Sequence, residues 1–320
     1  MTATPLRPEP LDVDMYREMY RGGAVNLAGF DPRLNATRIA QRLKVGRARV
    51  AGRLKAWNDS GFLARHDVWL NPALFGWQGA WLTVQVEQPR FKPALLARLA
   101  LIDGAVSATE FLGEWVALGV LFPDPASLAR ITGLVRGLTG VRGVEPPEPW
   151  ALPEPKRPLS PLDIRIVRAL RENPTATLGA TARRAGVSTR TMTRRYSALV
   201  DDGAVWFVPV LDFRSISVPA VSLVVTTRPG TGHEPLVRRI RGRYPLVLEF
   251  GSSRVGPEPA PDTHVLFVLP PSAAHLEELE QFVGSLDGVT GVEANVVVRV
   301  HSFPDWFDRH LDSLARRPTT

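Results

Sequence analysis

The chain of 320 residues is 44% hydrophobic and carries 39 Lys+Arg against 32 Asp+Glu, a formal charge of +7. That length and apolar content predict two to four domains, and the basic excess favours a polyanionic partner, either nucleic acid or an anionic membrane surface. The absence of cysteine excludes disulfides, thiolate metal sites and a cysteine nucleophile, and the lack of a long apolar run or of an apolar core in MTATPLRPEP predicts a cytoplasmic chain with no membrane partner.

In chain order, the pattern predicts a helix near Val13–Tyr20 and a second near Ala36–Leu43. A turn at Val45 and Gly46 leads to a third helix from Arg47 to Asp59, which Gly61 ends. The β-favouring FLARHDVWL that follows is expected to form a wing. The period then changes. AWLTVQV (80–86), a helix from Pro93 to Leu99, the strands AVSATEF and WVALGVLF, a helix from Pro125 to Leu138 and VRGVEP give the order βαββαβ.

Pro146–Pro158 holds six prolines in 13 residues, which forbids a helix and predicts an extended linker. Beyond it the order recurs. Ser160 and Pro161 start a helix carrying Leu162, Ile166, Val167 and Leu170, Leu178–Ala185 forms a second, and Ser188 caps a third from Thr189 to Val200. VWFVPVL (205–211) is the second expected wing. SLVVTTR, Pro235–Gly242, LVLEFG, HVLFVLP, Ser272–Leu286 and VTGVEANVVVRV repeat βαββαβ. The stretch FPDWFDRHLDSLARR could add a helix after Pro304.

The halves align. Adding 142 carries Ala40, Val45, Val50, Arg53 and Gly61 onto Ala182, Val187, Met192, Arg195 and Gly203. L-x-G-V-x-G-V occurs at Leu138 and again at Leu286, shifted by 148 because Ser253–His264 reads as an inserted surface loop. Matching Val13-Asp14 to Leu162-Asp163 makes the first connection about seven residues longer in the first half. The fold class is therefore α+β, a tandem repeat of a winged helix-turn-helix followed by a ferredoxin-like βαββαβ module. The winged units are placed at 1–75 and 159–215, the modules at 76–146 and 216–303, the linker at 147–158 and a C-terminal helix or tail at 304–320.

This pairing resembles the Lrp/AsnC family of feast/famine regulators, most specifically in LSPLDIRIVRALRENP (159–174) and GVSTRTMTRRYSALVDDGAV (186–205), and more loosely in RIAQRLKVGRARVAGRLKAWNDSGFL (38–63). The resemblance implies sequence-specific transcription control on double-stranded DNA and modules that pair through their sheets, so the chain would form an intrachain pseudo-dimer that can self-associate further. It also implies a small effector such as an amino acid, near Gly113 and Gly251. The family's aspartate three residues after that glycine is absent, replaced by Val116 and Arg254.

A reading helix needs cations for phosphates and donors or acceptors for base edges. The first copy offers Arg47, Arg49, Arg53 and Lys55, in a stretch from Ala36 to His66 with eight Lys/Arg and one acid, Asp59. The second offers Ser188, Thr189, Arg190, Thr191, Arg194 and Arg195. Arg53 and Arg195 have a second reading, as braces paired with acids. The six histidines show no metal-ligand spacing, and Gly230-Thr231-Gly232 lacks the third glycine of a dinucleotide loop, so neither metal nor cofactor is expected.

An enzyme reading competes, because siroheme decarboxylases resemble the same fold and also occur as fused pairs. Such an enzyme places His, Tyr or Arg around a tetrapyrrole, usually with a histidine before the second strand, where this chain has Val106-Ser107-Ala108-Thr109 and Pro245-Leu246-Val247. No enzymatic activity is expected on that ground.

Overall fold

The computed structural model describes residues 4–19, 35–150, 152, 154–254 and 262–316. The first unit holds α1 (Pro10–Met19), α2 (Ala36–Leu43), α3 (Arg47–Ser60) and β1 (Leu63–Leu70). The first module follows as β2 (Gln78–Val86), α4 (Lys92–Leu99), β3 (Ala105–Phe111), β4 (Trp115–Phe122), α5 (Pro125–Arg136) and β5 (Val141–Val144). After the short β6 (Glu148–Pro149) come α6 (Pro161–Glu172), α7 (Leu178–Ala185), α8 (Thr189–Asp201) and β7 (Val205–Leu211). The second module is β8 (Ala220–Thr227), α9 (His233–Arg243), β9 (Val247–Arg254), β10 (Asp262–Val268), α10 (Ala273–Gly284) and β11 (Val289–Ser302), and α11 (Asp305–Arg316) closes the chain. This is the expected tandem α+β repeat.

Helix ends follow the repeat. Asn35 caps α2 by accepting from the Arg38 amide, and Thr177, 142 residues on, caps α7 by accepting from the Ala180 amide. Both second helices end on a left-handed residue, Lys44 (φ 55°) in one copy and Gly186 (φ 65°) in the other. The third helices differ at their caps: Ser188 accepts from the Thr191 amide, whereas Gly46 has no side chain to offer.

Four expectations need correction. The predicted wings do not fold back on their own helices; β1 and β7 pair with each other, antiparallel, as a two-stranded ribbon. Their register is self-complementary, with Leu63 opposite Leu211, Leu70 opposite Val205 and Asp67 opposite Val208 at the centre. β7 and the last three residues of β1 are apolar and largely buried between the two helical units, so Val68, Trp69, Leu70, Trp206 and Phe207 sit in one core with α1, α3, α6 and α8, while Ala64 and Arg65 of β1 are exposed. The linker is not only a spacer: Glu148 and Pro149 pair with Trp81 and Ala80 of β2, and Trp150 lies over Gly79. The first helix begins earlier than its apolar pattern suggested, and the tripeptide Pro10-Leu11-Asp12 repeats Pro161-Leu162-Asp163, so the offset there is 151 rather than 149. Part of the supposed surface loop also belongs to the sheet, since Ser253–Arg254 and Asp262–His264 pair with each other; residues 255–261 lie outside the described residues.

Each module has strand order 4-1-3-2, and the two join edge to edge in one nine-stranded sheet where the second half of β11 pairs with β3. The first half of β11 stays with β8, and an irregularity between Val297 and Arg299 lets the strand pass from one module to the other. Helices α4 and α5 cover one apolar core, of Leu82, Leu95, Leu118 and Val135 among others, while α9 and α10 cover its counterpart around Leu223, Ile240 and Val283. The opposite faces contribute Phe111, Leu121, Leu248 and Phe267 to the same cluster as the helical units. Helix α11 packs there too: Phe307 stacks on Trp69 at 4.9 Å, and Arg171 of α6 bridges to Asp308 at 2.7 Å.

Candidate nucleic-acid interface

In α8, Met192, Tyr196 and Leu199 are buried against the unit's core. Helical periodicity then turns Arg190, Thr193, Arg194 and Ser197 outward, and all four are exposed, as are Ser188 and Thr189. Thr191 is half-buried and within 3.0 Å of the Ser188 hydroxyl. The Thr193 hydroxyl donates to the Thr189 carbonyl at 3.0 Å, which leaves its lone pairs and methyl facing solvent. In α3, Val50 and Trp57 are the buried anchors, and Arg47, Arg49 and Lys55 are exposed. Lys55 pairs with Asp59 one turn on, and Arg49 lies 3.9 Å from Glu9. Among the described residues, no carboxylate is in ion-pair reach of Arg47, Arg190 or Arg194.

Arg53 and Arg195 lie at equivalent places and are both turned inward. Arg53 donates from Nε and Nη2 to the Asp12 carboxylate, from Nη1 to Glu9 at 3.1 Å and from Nη2 to the Arg7 carbonyl at 2.9 Å. The hydrogen bonds that Arg53 donates to Asp12 raise the Arg53 pKa above its ordinary value against the cost of burial. Asp12 also accepts from Trp57 Nε1 at 2.7 Å and from the Glu9 amide at 2.7 Å. In the second copy Asp163, fully buried, accepts from Arg157 at 2.8 Å, from the Ser160 amide at 3.0 Å and from Arg195 at 3.5 Å. Burial alone would raise the Asp163 carboxyl, but the bonds from Ser160 and Arg157 hold it below the usual carboxylate range. These carboxylates were missed from the sequence although the repeated Pro-Leu-Asp at both helix starts signals them.

Gly113 and Gly251, where the family resemblance would place an effector, lie on different modules. Gly113 is exposed in the turn between β3 and β4 at φ 84°, with open space around it, and Gly251 sits within β9 opposite Val265. Elsewhere, His264 and His233 bring their Nδ1 atoms to 3.2 Å, and His264 Nε2 lies 3.0 Å from the Thr227 hydroxyl. Burial, and then His233, push the His264 pKa down to about 4. Burial, then Glu145 and Glu293, raise the Glu148 carboxyl. Among the described residues, no group of three or more His, Asp or Glu is arranged to hold a metal ion, and no helix is long and apolar enough to cross a membrane.

A family model described as winged helix-turn-helix DNA-binding matches residues 159–205, from the residue before the Ser160 cap to the first residue of β7. The second helical unit is a winged helix-turn-helix. A search of curated proteins finds no match. Among solved structures, the siroheme decarboxylase NirDL matches with a TM-score of 0.53 at 12% identity, covering 96% of this chain and 98% of that one. NirDL in complex with an iron-uroporphyrin III analogue matches with a TM-score of 0.52 at 13% identity, over the same shares of the two chains. The fused two-copy fold is thus shared along its whole length. AsnC from E. coli covers 48% of this chain and 99% of its own, at 13% identity and a TM-score of 0.33. The expectation of no enzymatic activity does not stand: both NirDL structures, matched over the whole length, are of an enzyme.

Proposed function

We propose that the chain is a sequence-specific DNA-binding transcription regulator of Lrp/AsnC type, which docks its two helical units on one duplex. The observation that carries this reading is the outward stripe of α8, where Arg190 and Arg194 are exposed and, among the described residues, have no carboxylate in ion-pair reach, within a unit that matches the DNA-binding model. Arginines so placed reach phosphates and guanine edges, while the inward Arg195 holds the helix in place. The β1–β7 ribbon supports a rigid pair of heads, so the half-sites would lie about one helical turn apart or a multiple of it. An effector such as an amino acid, acting near Gly113 or Gly251, and assembly into larger oligomers belong to the same proposal.

The test is retention on a random duplex pool followed by enrichment. The expected result is one enriched motif, lost in Arg190→Ala plus Arg194→Ala; no retention at low salt refutes it. A second reading, a tetrapyrrole-acting enzyme, is favoured by the whole-length likeness to NirDL. A tetrapyrrole absorbance band on the purified protein, or one that forms on adding iron-uroporphyrin, supports that reading.

A further inference from the structure

The two third helices have opposite surface chemistry at equivalent positions. The outward stripe of α8 is Arg190, Thr193, Arg194 and Ser197, and the offset of 142 places Ala48, Ala51, Gly52 and Lys55 on the same stripe of α3. All eight are exposed, so the difference is one of presented chemistry and not of burial. Gly52 has nothing within 4 Å of where a Cβ would stand, so nothing else fills the place held by an arginine in the other copy. The caps differ in the same direction, Ser188 against Gly46.

Reading a base edge needs a donor or acceptor pair at fixed geometry, such as an arginine fork on guanine; a methyl group offers only contact to thymine. The stripe of α3 therefore has almost nothing with which to discriminate bases, and its remaining cation, Lys55, is engaged with Asp59. What the first copy keeps is charge off that stripe: Arg38, Lys44, Arg47 and Arg49 are all exposed, the last two in the first turn of α3. Cations can hold phosphates without reading sequence, and the division below assigns these four to that role.

We infer a division of labour, resting on the DNA-binding reading: the second copy selects the sequence through Arg190 and Arg194, and the first copy is a sequence-neutral phosphate clamp. The binding site is then a single specific half-site with an adjoining stretch of DNA, about one helical turn away, whose sequence is free but whose presence is required. This differs from a pseudo-palindrome read by two heads.

The experiment uses the full chain and four versions of it: wild type, Arg190→Lys plus Arg194→Lys, Lys44→Ala plus Arg47→Ala, and Ala48→Ser plus Ala51→Ser. All substitutions are at exposed positions, and circular dichroism checks the fold. Each version selects from a random duplex pool and is then titrated on the selected and on scrambled duplexes. The wild type enriches one half-site only. The lysine pair keeps charge but loses both forks, so it binds scrambled DNA within about twofold of wild type while its preference for the half-site falls by about 5- to 150-fold for each fork lost. Lys44→Ala plus Arg47→Ala weakens both duplexes by the same factor and enriches the same motif. The serine pair leaves the motif unchanged. Enrichment of two half-sites, or a motif altered by the substitutions at 44 and 47 or at 48 and 51, overturns the division of labour while leaving DNA binding intact. Failure of the wild type to bind any duplex overturns both readings.

Discussion

Removing the Asp12 carboxylate tests the claim that Arg53 is a brace and not a free phosphate ligand. In Asp12→Ala three donors lose an acceptor: the Arg53 guanidinium, whose side chain is 16% exposed, Trp57 Nε1 and the Glu9 amide. Breaking a buried pair from one side costs about 3–5 kcal/mol, and an unsatisfied buried indole adds about 1–3 kcal/mol. Glu9 remains 3.1 Å from Arg53 and offsets part of the first cost. A net loss of about 3–5 kcal/mol follows, with Asp12→Asn losing less because one acceptor oxygen survives. Equilibrium urea unfolding followed by tryptophan fluorescence reads it directly, since Trp57 is buried in the affected unit. A loss under about 1 kcal/mol refutes the bracing role, because it is the size of an exposed ion pair.

Three further outcomes are expected. His264 has its folded pKa depressed to about 4 from 6.5, so its contribution is fully present above pH 6.5 and is lost as pH falls from there towards 4. The loss is at most about 3 kcal/mol, and roughly 2 after solvent screening; urea midpoints across that range should fall for wild type and flatten in His264→Asn, and equal slopes would contradict the assignment. Lys44 holds a left-handed conformation that Gly186 adopts freely in the other copy, so Lys44→Gly should stabilise the first unit by up to about 1 kcal/mol in the same assay. A Cβ on Gly79 would stand 2.1 Å from the Trp150 ring; Gly79→Ala should displace that ring, red-shift its emission and cost about 1–3 kcal/mol.

The duplication and its element order were legible because both rest on local signals. Caps at Ser188 and Gly203, the change from helical to alternating period, and the repeated L-x-G-V-x-G-V all act within a few residues. What was not legible depends on partners distant in the chain. The apolar strands after each third helix look alike whether they fold back as wings or pair across the duplication, and only the Leu63–Leu211 register decides. The edge junction of β11 with β3 likewise joins residues almost two hundred positions apart. For the candidate site, the sequence identified the basic third helices but not which cations are spent. The fates of Arg53 and Arg195 are set by Asp12 and Asp163, whose repeated Pro-Leu-Asp is readable but is masked by the apolar pattern, which sets Val13-Asp14 against Leu162-Asp163 two residues out of register.

The central claim, that the chain binds duplex DNA through exposed cations on its third helices, is tested most directly by the salt dependence of duplex affinity. The account predicts that log affinity falls linearly with log salt, that the slope loses about 0.9 for each phosphate contact removed by Arg47→Ala or Arg49→Ala, and that Arg190→Ala and Arg194→Ala lower the preference for the selected sequence. An affinity that ignores salt, or a slope unchanged in both Arg47→Ala and Arg49→Ala, contradicts it.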